Sequence, residues 1–237
     1  MFQLHPSFPK VIILYGPPAA GKGTQTEFLK EHLPNYFHID FGTEIRNFIK
    51  IHKESDKKDD NYKLAQKMEL LMQTGPVEFE DLKFVVEKKI IEAVKQGKGL
   101  IIEGPGRQIT EAHWLSKFLH ENGLSVAIFH LHLNLEDIVA RVKTRFYAPN
   151  NNHPFSSYED ALKACKAGEI PYQRKEDVDV EKTISRYRNL YKKSFAKILF
   201  IYQLEAKAEI FAIDASESIE MVRNSIFNIL KKFYSPV

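Results

Sequence analysis

The residues best suited to chemistry stand near the start of the chain, where Gly16-Pro17-Pro18-Ala19-Ala20-Gly21-Lys22-Gly23-Thr24 follows directly on the apolar run Val11-Ile12-Ile13-Leu14-Tyr15. Glycines let a backbone wrap an anion so that successive N–H groups point inward, Lys22 adds a mobile positive charge, and a following helix offers its positive dipole end. A strand that breaks into such a loop and then into a helix, here Gln25-Thr26-Glu27-Phe28-Leu29-Lys30, has the layout of a site for nucleotide polyphosphates. The alternative, an ordinary Gly/Pro-rich turn, gives no reason for two glycines, a lysine and a hydroxyl residue to fall in place together. The residue after the lysine is Gly23 rather than Ser or Thr. A divalent ion at this site must therefore be held mainly by phosphate oxygens, water and a carboxylate from elsewhere.

Such a loop needs a sheet to carry it. Five short apolar runs have strand length: Val11 to Tyr15, Tyr36 to Ile39, Leu100 to Ile102, Val126 to Leu131 and Ile210 to Ile213. Helical periodicity separates them, which predicts an α/β fold: a parallel five-stranded sheet with helices on both faces. Asn134 is placed to cap a helix with Glu136 and Asp137 in its first turn, and that helix carries Arg141 and Arg145 on one face. A last helix from about Ser216 puts Ile219, Val222, Ile226, Ile229 and Phe233 on one stripe and is expected to pack on the sheet.

Two intervals exceed ordinary connections. From about 43 to 81 the chain is helical in period, through Leu64, Met68, Leu71 and Met72, up to Gly75-Pro76. From Phe146 to Tyr172 it is rich in proline and asparagine with a short helical piece around Tyr158 to Lys166, and a segment of that length is usually functional or disordered. The charged run Lys53 to Asn61 reads as a solvated loop.

Composition narrows the class. The 237 residues suffice for one core with insertions, and 34 basic against 31 acidic residues leave a net charge of +3, too little for an extended nucleic-acid face. A single cysteine, Cys165, excludes an internal disulfide and any multi-cysteine zinc site, so it reads as a packing residue and no structural zinc is expected. Met1 to Pro6 lacks a basic segment followed by a long apolar run, and no stretch approaches membrane-spanning length. The expectation is a soluble, cytoplasmic monomer without membrane or nucleic-acid partners.

Gly-x-Pro-x-x-Gly-Lys-Gly-Thr-Gln resembles the opening of the adenylate kinase family, P-loop nucleoside monophosphate kinases, and the resemblance extends over most of the chain. It implies a core of 1–42, 82–145 and 175–237, a monophosphate-binding insertion at about 43–81 and a lid at about 146–174. It implies ATP contacts from Gly16, Ala19, Ala20, Gly21, Lys22, Gly23, Thr24, Arg141 and Arg145, the last two matching the family's paired arginines at the lid mouth. Asp40-Phe41-Gly42-Thr43-Glu44-Ile45-Arg46 corresponds to the family's Thr-Gly-Asp-x-x-Arg, which makes Arg46 a clamp on the monophosphate. Glu103-Gly104-Pro105-Gly106-Arg107 stands where the family has Asp-Gly-Phe-Pro-Arg, giving Arg107 as a second clamp and Glu103 as the carboxylate near Mg²⁺. Phe41, Gly42, Glu78, Gly104, Glu111 and Arg174 complete the expected monophosphate contacts. Lys22, Arg107, Arg141, Arg145, Arg174 and Arg186 form the implied catalytic set, although the final arginine falls on Arg186 or Arg188 because the chain is one residue longer there. Taken singly, Arg141 and Arg145 could be a solvated helix face, and Arg174 could pair with Glu176 or Asp177.

The sequence departs from the family at the acceptor base. Phe41 replaces a threonine, Thr43 an aspartate, and Glu111 the glutamine that pairs with adenine. A carboxylate only accepts hydrogen bonds, so Glu111 suits guanine bidentately, cytosine in part and adenine poorly, unless it merely faces solvent at a helix start. Three readings follow: a kinase acting on AMP, one acting on GMP, CMP or UMP, and a nucleotide-binding protein with little kinase activity.

Overall fold

A computed structural model describes residues 8–74, 77–105, 108–149 and 154–233. Strand β1 (Val11–Tyr15) ends at the glycine-rich loop and helix α1 (Lys22–His32) follows, with β2 (Tyr36–Asp40), α2 (Phe41–His52), α3 (Asp60–Thr74) and α4 (Phe79–Lys95) after it. Next come β3 (Gly99–Glu103), α5 (Ile109–Glu121), β4 (Val126–His132), α6 (Leu135–Lys143) and α7 (Tyr158–Lys163). The chain continues through α8 (Lys175–Val178), α9 (Val180–Arg186), a π-helical turn (Tyr187–Lys192), α10 (Lys193–Glu205), β5 (Glu209–Asp214) and α11 (Ile219–Leu230). All five strands are parallel, in the order β2-β3-β1-β4-β5. The crossovers leave β1 in the middle, where chain direction around the sheet reverses, and ligands of open parallel sheets bind beyond the strand ends at that point.

Side chains alternate across the sheet because strand periodicity is two. Val11, Ile13 and Tyr15 enter the core shared with α2, α4, α5 and α10, while Ile12 and Leu14 enter the opposite core with α1, α6 and α11. Both faces of β1 are buried, as its unbroken apolar run requires.

The interval after β2 is helical, α2 packing on α3 and α4, with Met68 fully buried and the Lys53–Asn61 turn on the surface. The second long interval is pinned at its root by antiparallel bridges Phe146–Phe155 and Tyr147–Tyr172, and its helical piece ends at Lys163. Asn134 caps α6 by accepting from the Asp137 amide at 2.8 Å. In α11, Val222, Ile226 and Leu230 are buried, but Ile219 is 64% exposed. The expected stripe is corrected at that end: Ile219, which opens α11, lines the cleft rather than joining the buried stripe.

Candidate functional site

A cleft of about 700 Å³ lies beyond the carboxyl ends of β1, β2 and β3. Gly16, Gly21, Lys22, Gly23 and Thr24 form one wall. A Cβ on Gly16 would lie 2.4 Å from the Leu131 carbonyl oxygen, so the loop can leave β1 this close to β4 only as glycine. Gly21 precedes α1 with φ 85°, a left-handed conformation that L side chains rarely adopt. No acidic residue occupies the first turn of α1, which leaves its positive end to an incoming anion. Lys22 Nζ donates to the carbonyls of Gly16 (3.1 Å) and Pro17 (2.8 Å), folding the charge back over the loop it serves.

Facing this loop, Asp40 ends β2 and caps α2, accepting from the Gly42 amide at 3.0 Å and the Thr43 amide at 3.1 Å. Its carboxylate also takes the Thr43 hydroxyl, and Arg46 Nη2 donates to that hydroxyl at 2.8 Å and lies 3.5 Å from Asp40 Oδ2. The amides at this helix start are thus occupied by Asp40. Arg46, which lines the cleft with Gly42 and Gly104, is the cationic group this element presents to a ligand. Asp40 and Glu103 are register partners on β2 and β3, and Glu103 also lines the cleft. The Thr26 hydroxyl donates to Glu103 Oε2 at 3.2 Å, and His38 Nε2 lies 3.7 Å from the same oxygen.

The second long interval brings its arginines to the same opening. Arg141 donates to the carbonyl oxygens of Ala19 (3.3 Å) and Ala215 (2.7 Å), bracing the loop that follows β1 against the one that follows β5. Arg145 forms a two-point ion pair with Asp177, its Nε at 3.0 Å from Oδ2 and its Nη2 on Oδ1. Asp177 is only 2% exposed, so the pair is shielded and geometrically fixed, as the planar fork of arginine allows. Arg145 and Arg174 both approach the buried ring of Tyr147, Arg174 at 4.0 Å from ring centroid to guanidinium carbon. These arginines are therefore not a solvated helix face, and Asp177 belongs to Arg145.

Arg186 lines the cleft and donates to the Met72 carbonyl at 3.1 Å, which links α9 to α3. Arg188 is exposed and outside the cleft lining among the described residues. Directly after Arg186, α9 passes into the π-helical turn Tyr187–Lys192. A π turn is the form in which a helix absorbs one added residue, and such turns concentrate at functional sites.

The side chains of four residues expected at the site do not line the cleft. Phe41 (2% exposed) and Ala20 (2%) turn into the two cores, because an apolar side chain gains more by leaving water. Glu78 is exposed and pairs with Lys67 at 2.7 Å, and Lys67 has its pKa raised by hydrogen bonds first from Asp81 and then from Glu78. Glu111 is fully buried, which rules out the solvent-facing alternative, but it lies beneath the cleft wall rather than lining it. Arg107 lies outside the described residues.

Sequence reasoning missed Asp40, His38, Tyr147, Met72 and Tyr191, all of which line the cleft. Asp40 carried a signal, since an aspartate at a strand end followed by a helical stretch is a preferred N-cap. The other four are single residues within ordinary periodic runs. Burial, more than neighbouring charge, pushes the phenols of Tyr15 and Tyr191 well above their usual range, and Glu111 adds to the effect at Tyr15. Burial, and then His132, lowers His130 to about 4, so its ring is neutral at pH 7. His130 Nε2 lies 2.6 Å from the Tyr191 hydroxyl, tying the π turn to β4.

Residues 15–152 match a family model described as AAA domain. Full-length likeness is to adenylate kinases: that of Chloroherpeton thalassium is 28% identical over 92% of this chain and 97% of its own length. Those of Thermosipho melanesiensis (27%; 93% of this chain, 99% of the relative) and Streptomyces avermitilis (28%; 93% and 97%) are similar to the same extent. With more than half of its length matched by that model, the chain belongs to the AAA-domain family, and over nearly all of its length it is similar to adenylate kinases.

Proposed function

We propose that the protein is an ATP:nucleoside monophosphate phosphotransferase whose acceptor is AMP, working as a monomer. The observation that carries this reading is the convergence of the phosphate loop with Arg46, Arg141, Arg145, Arg174 and Arg186 on one cleft. A protein that only bound a nucleotide would need the loop, but not cations from three further segments facing it. Transfer of a phosphoryl group brings several negative charges together, so catalysis consists mainly of alignment and charge neutralisation. An oxygen of the acceptor monophosphate forms a bond to the γ-phosphorus as the bond to the β,γ-bridging oxygen breaks, and the electron pair leaves with ADP.

Lys22, freed from its own loop carbonyls, follows the charge that moves onto the leaving oxygens. Arg141, braced between the two loops, holds the donor, and Arg46 holds the acceptor phosphate. Arg145, Arg174 and Arg186 neutralise the equatorial oxygens. The segment 43–81 then serves as the acceptor insertion and 146–174 as the lid, whose closure excludes the water that would hydrolyse the phosphoryl group.

Residues on the cleft suit Mg²⁺. Glu103 faces it with Oε2 engaged by Thr26, whereas the Asp40 carboxylate is committed to Gly42, Thr43 and Arg46. Glu103 would hold the ion through water, with phosphate oxygens as its main ligands. Bound there, Mg²⁺ supplies charge neutralisation at the β- and γ-phosphates.

A panel of AMP, GMP, CMP and UMP with MgATP tests the reading. AMP is expected to be used best, and Lys22→Met to keep the fold while losing about a hundredfold or more of turnover, on the order of 3 kcal/mol of barrier. Near wild-type turnover by that variant overturns the mechanism, and absence of transfer to every acceptor overturns the function.

A further inference from the structure

We propose that Tyr147 is a positioning residue, the face of its buried ring gathering Arg145 and Arg174 into one fixed array at the mouth of the cleft. This rests on the kinase reading, in which those two arginines meet the transferring phosphoryl group. The ring is 1% exposed. Its backbone is locked to the far side of the lid root by reciprocal hydrogen bonds, Tyr147 N to Tyr172 O at 2.8 Å and Tyr172 N to Tyr147 O at 2.9 Å. The Tyr172 ring packs against it at 5.7 Å between centroids. The Arg174 guanidinium carbon lies 4.0 Å from the ring centroid and that of Arg145 5.7 Å. Arg145, Tyr147 and Arg174 all line the cleft.

Two guanidinium groups drawn to one ring repel each other, and the cleft offers less water than bulk solvent to screen that repulsion. Asp177 answers the charge of Arg145 through the two-point pair. The negative face of the aromatic quadrupole attracts both cations, a contact that strengthens when desolvated. The ring also remains a neutral phenol. Burial pushes Tyr147 up to about 12, and that effect exceeds the opposing pull of Arg145 and Arg174. A ring with a fixed backbone can hold two long side chains in the orientation that an incoming triphosphate requires, so less ordering remains to be done on binding.

Arg145 directly precedes the lid segment and Arg174 ends it, and Tyr147 and Tyr172 pair across its root. The ring therefore ties the orientation of the two cations to the pairing at that root. An aliphatic residue of similar bulk would fill the same space without attracting either guanidinium.

The experiment replaces Tyr147 by leucine and by a series of phenylalanines bearing none, one, two or three ring fluorines, which drain electron density from the ring face with little change in size. kcat/KM for MgATP is expected to fall about tenfold in Tyr147→Leu, to stay within about threefold in Tyr147→Phe, and to decline stepwise with fluorine number. KM for the acceptor should change less than about twofold. Calorimetric affinity for a non-hydrolysable ATP analogue, measured in parallel, should weaken in the same order. A flat fluorine series overturns the proposal whether or not leucine is impaired, because ring bulk alone would then suffice. If the wild type binds the analogue yet transfers phosphate to no acceptor, the kinase reading fails, and the binding series still decides what the ring does.

Discussion

His130 should make stability fall as the solution is acidified from pH 6.5 towards 4. Its ring sits on β4 beside Tyr15 and stacks on Phe195, with Nε2 at 2.6 Å from the Tyr191 hydroxyl. Burial holds its folded pKa at about 4 against the ordinary 6.5. A depressed histidine pKa means that the unfolded chain takes up a proton the folded one refuses, so the stability lost is none above pH 6.5 and grows as pH falls. The gap between 6.5 and about 4, at about 1.4 kcal/mol per pH unit, gives a total on the order of 3 kcal/mol well below pH 4. The loss is about 0.8 kcal/mol at pH 6, about 2 at pH 5 and about 3 at pH 4. His130→Gln keeps an acceptor for the Tyr191 hydroxyl but has no proton to bind. Urea unfolding of both proteins across pH 4 to 7.5, with the difference in unfolding free energy plotted against pH, isolates the histidine from the carboxylates that titrate in both. A wild-type curve running parallel to that of the variant over the whole range would refute the argument, since it would place the ring in water or in contact with an unseen carboxylate.

Two further outcomes are expected. Arg186→Ala should lower kcat/KM about a hundredfold or more, and Arg188→Ala less than about threefold, because of the two only Arg186 lines the cleft; steady-state kinetics with both substrates decides, and equal losses would mean that lining the cleft does not single out Arg186. Glu111→Gln should shift the ratio of AMP to GMP use by less than about threefold, since the buried carboxylate lies beneath the cleft wall; a gain for AMP of tenfold or more would show that it reaches the base.

Much of this protein follows from local rules that the chain carries in plain form. The unbroken apolar run Val11–Tyr15 requires burial on both faces, hence a central parallel strand, and the glycines and lysine after it require an anion at its end. The capped start of α6 and the spacing of Arg141 and Arg145 follow from a 3.6-residue period. The two long intervals were legible because neither fits an ordinary connection, and the resemblance assigned them roles that composition could not.

Tertiary structure decided what depends on direction rather than on period. Each residue of a helix turns the next side chain by about 100°, so Arg186 and Arg188 point in different directions, and only the fold shows that Arg186 faces the cleft while Arg188 is exposed. Glu111 begins a helix as exposed acids often do, yet its side chain is enclosed, with its charge felt at Tyr15 and Tyr202. The pairing of Arg145 with Asp177 joins residues 32 apart, and the contacts on Tyr147 join residues from both ends of the interval 146–174. Such contacts are set by where the backbone carries each side chain after folding, and burial of apolar rings decides that with no trace in the spacing of the residues they hold.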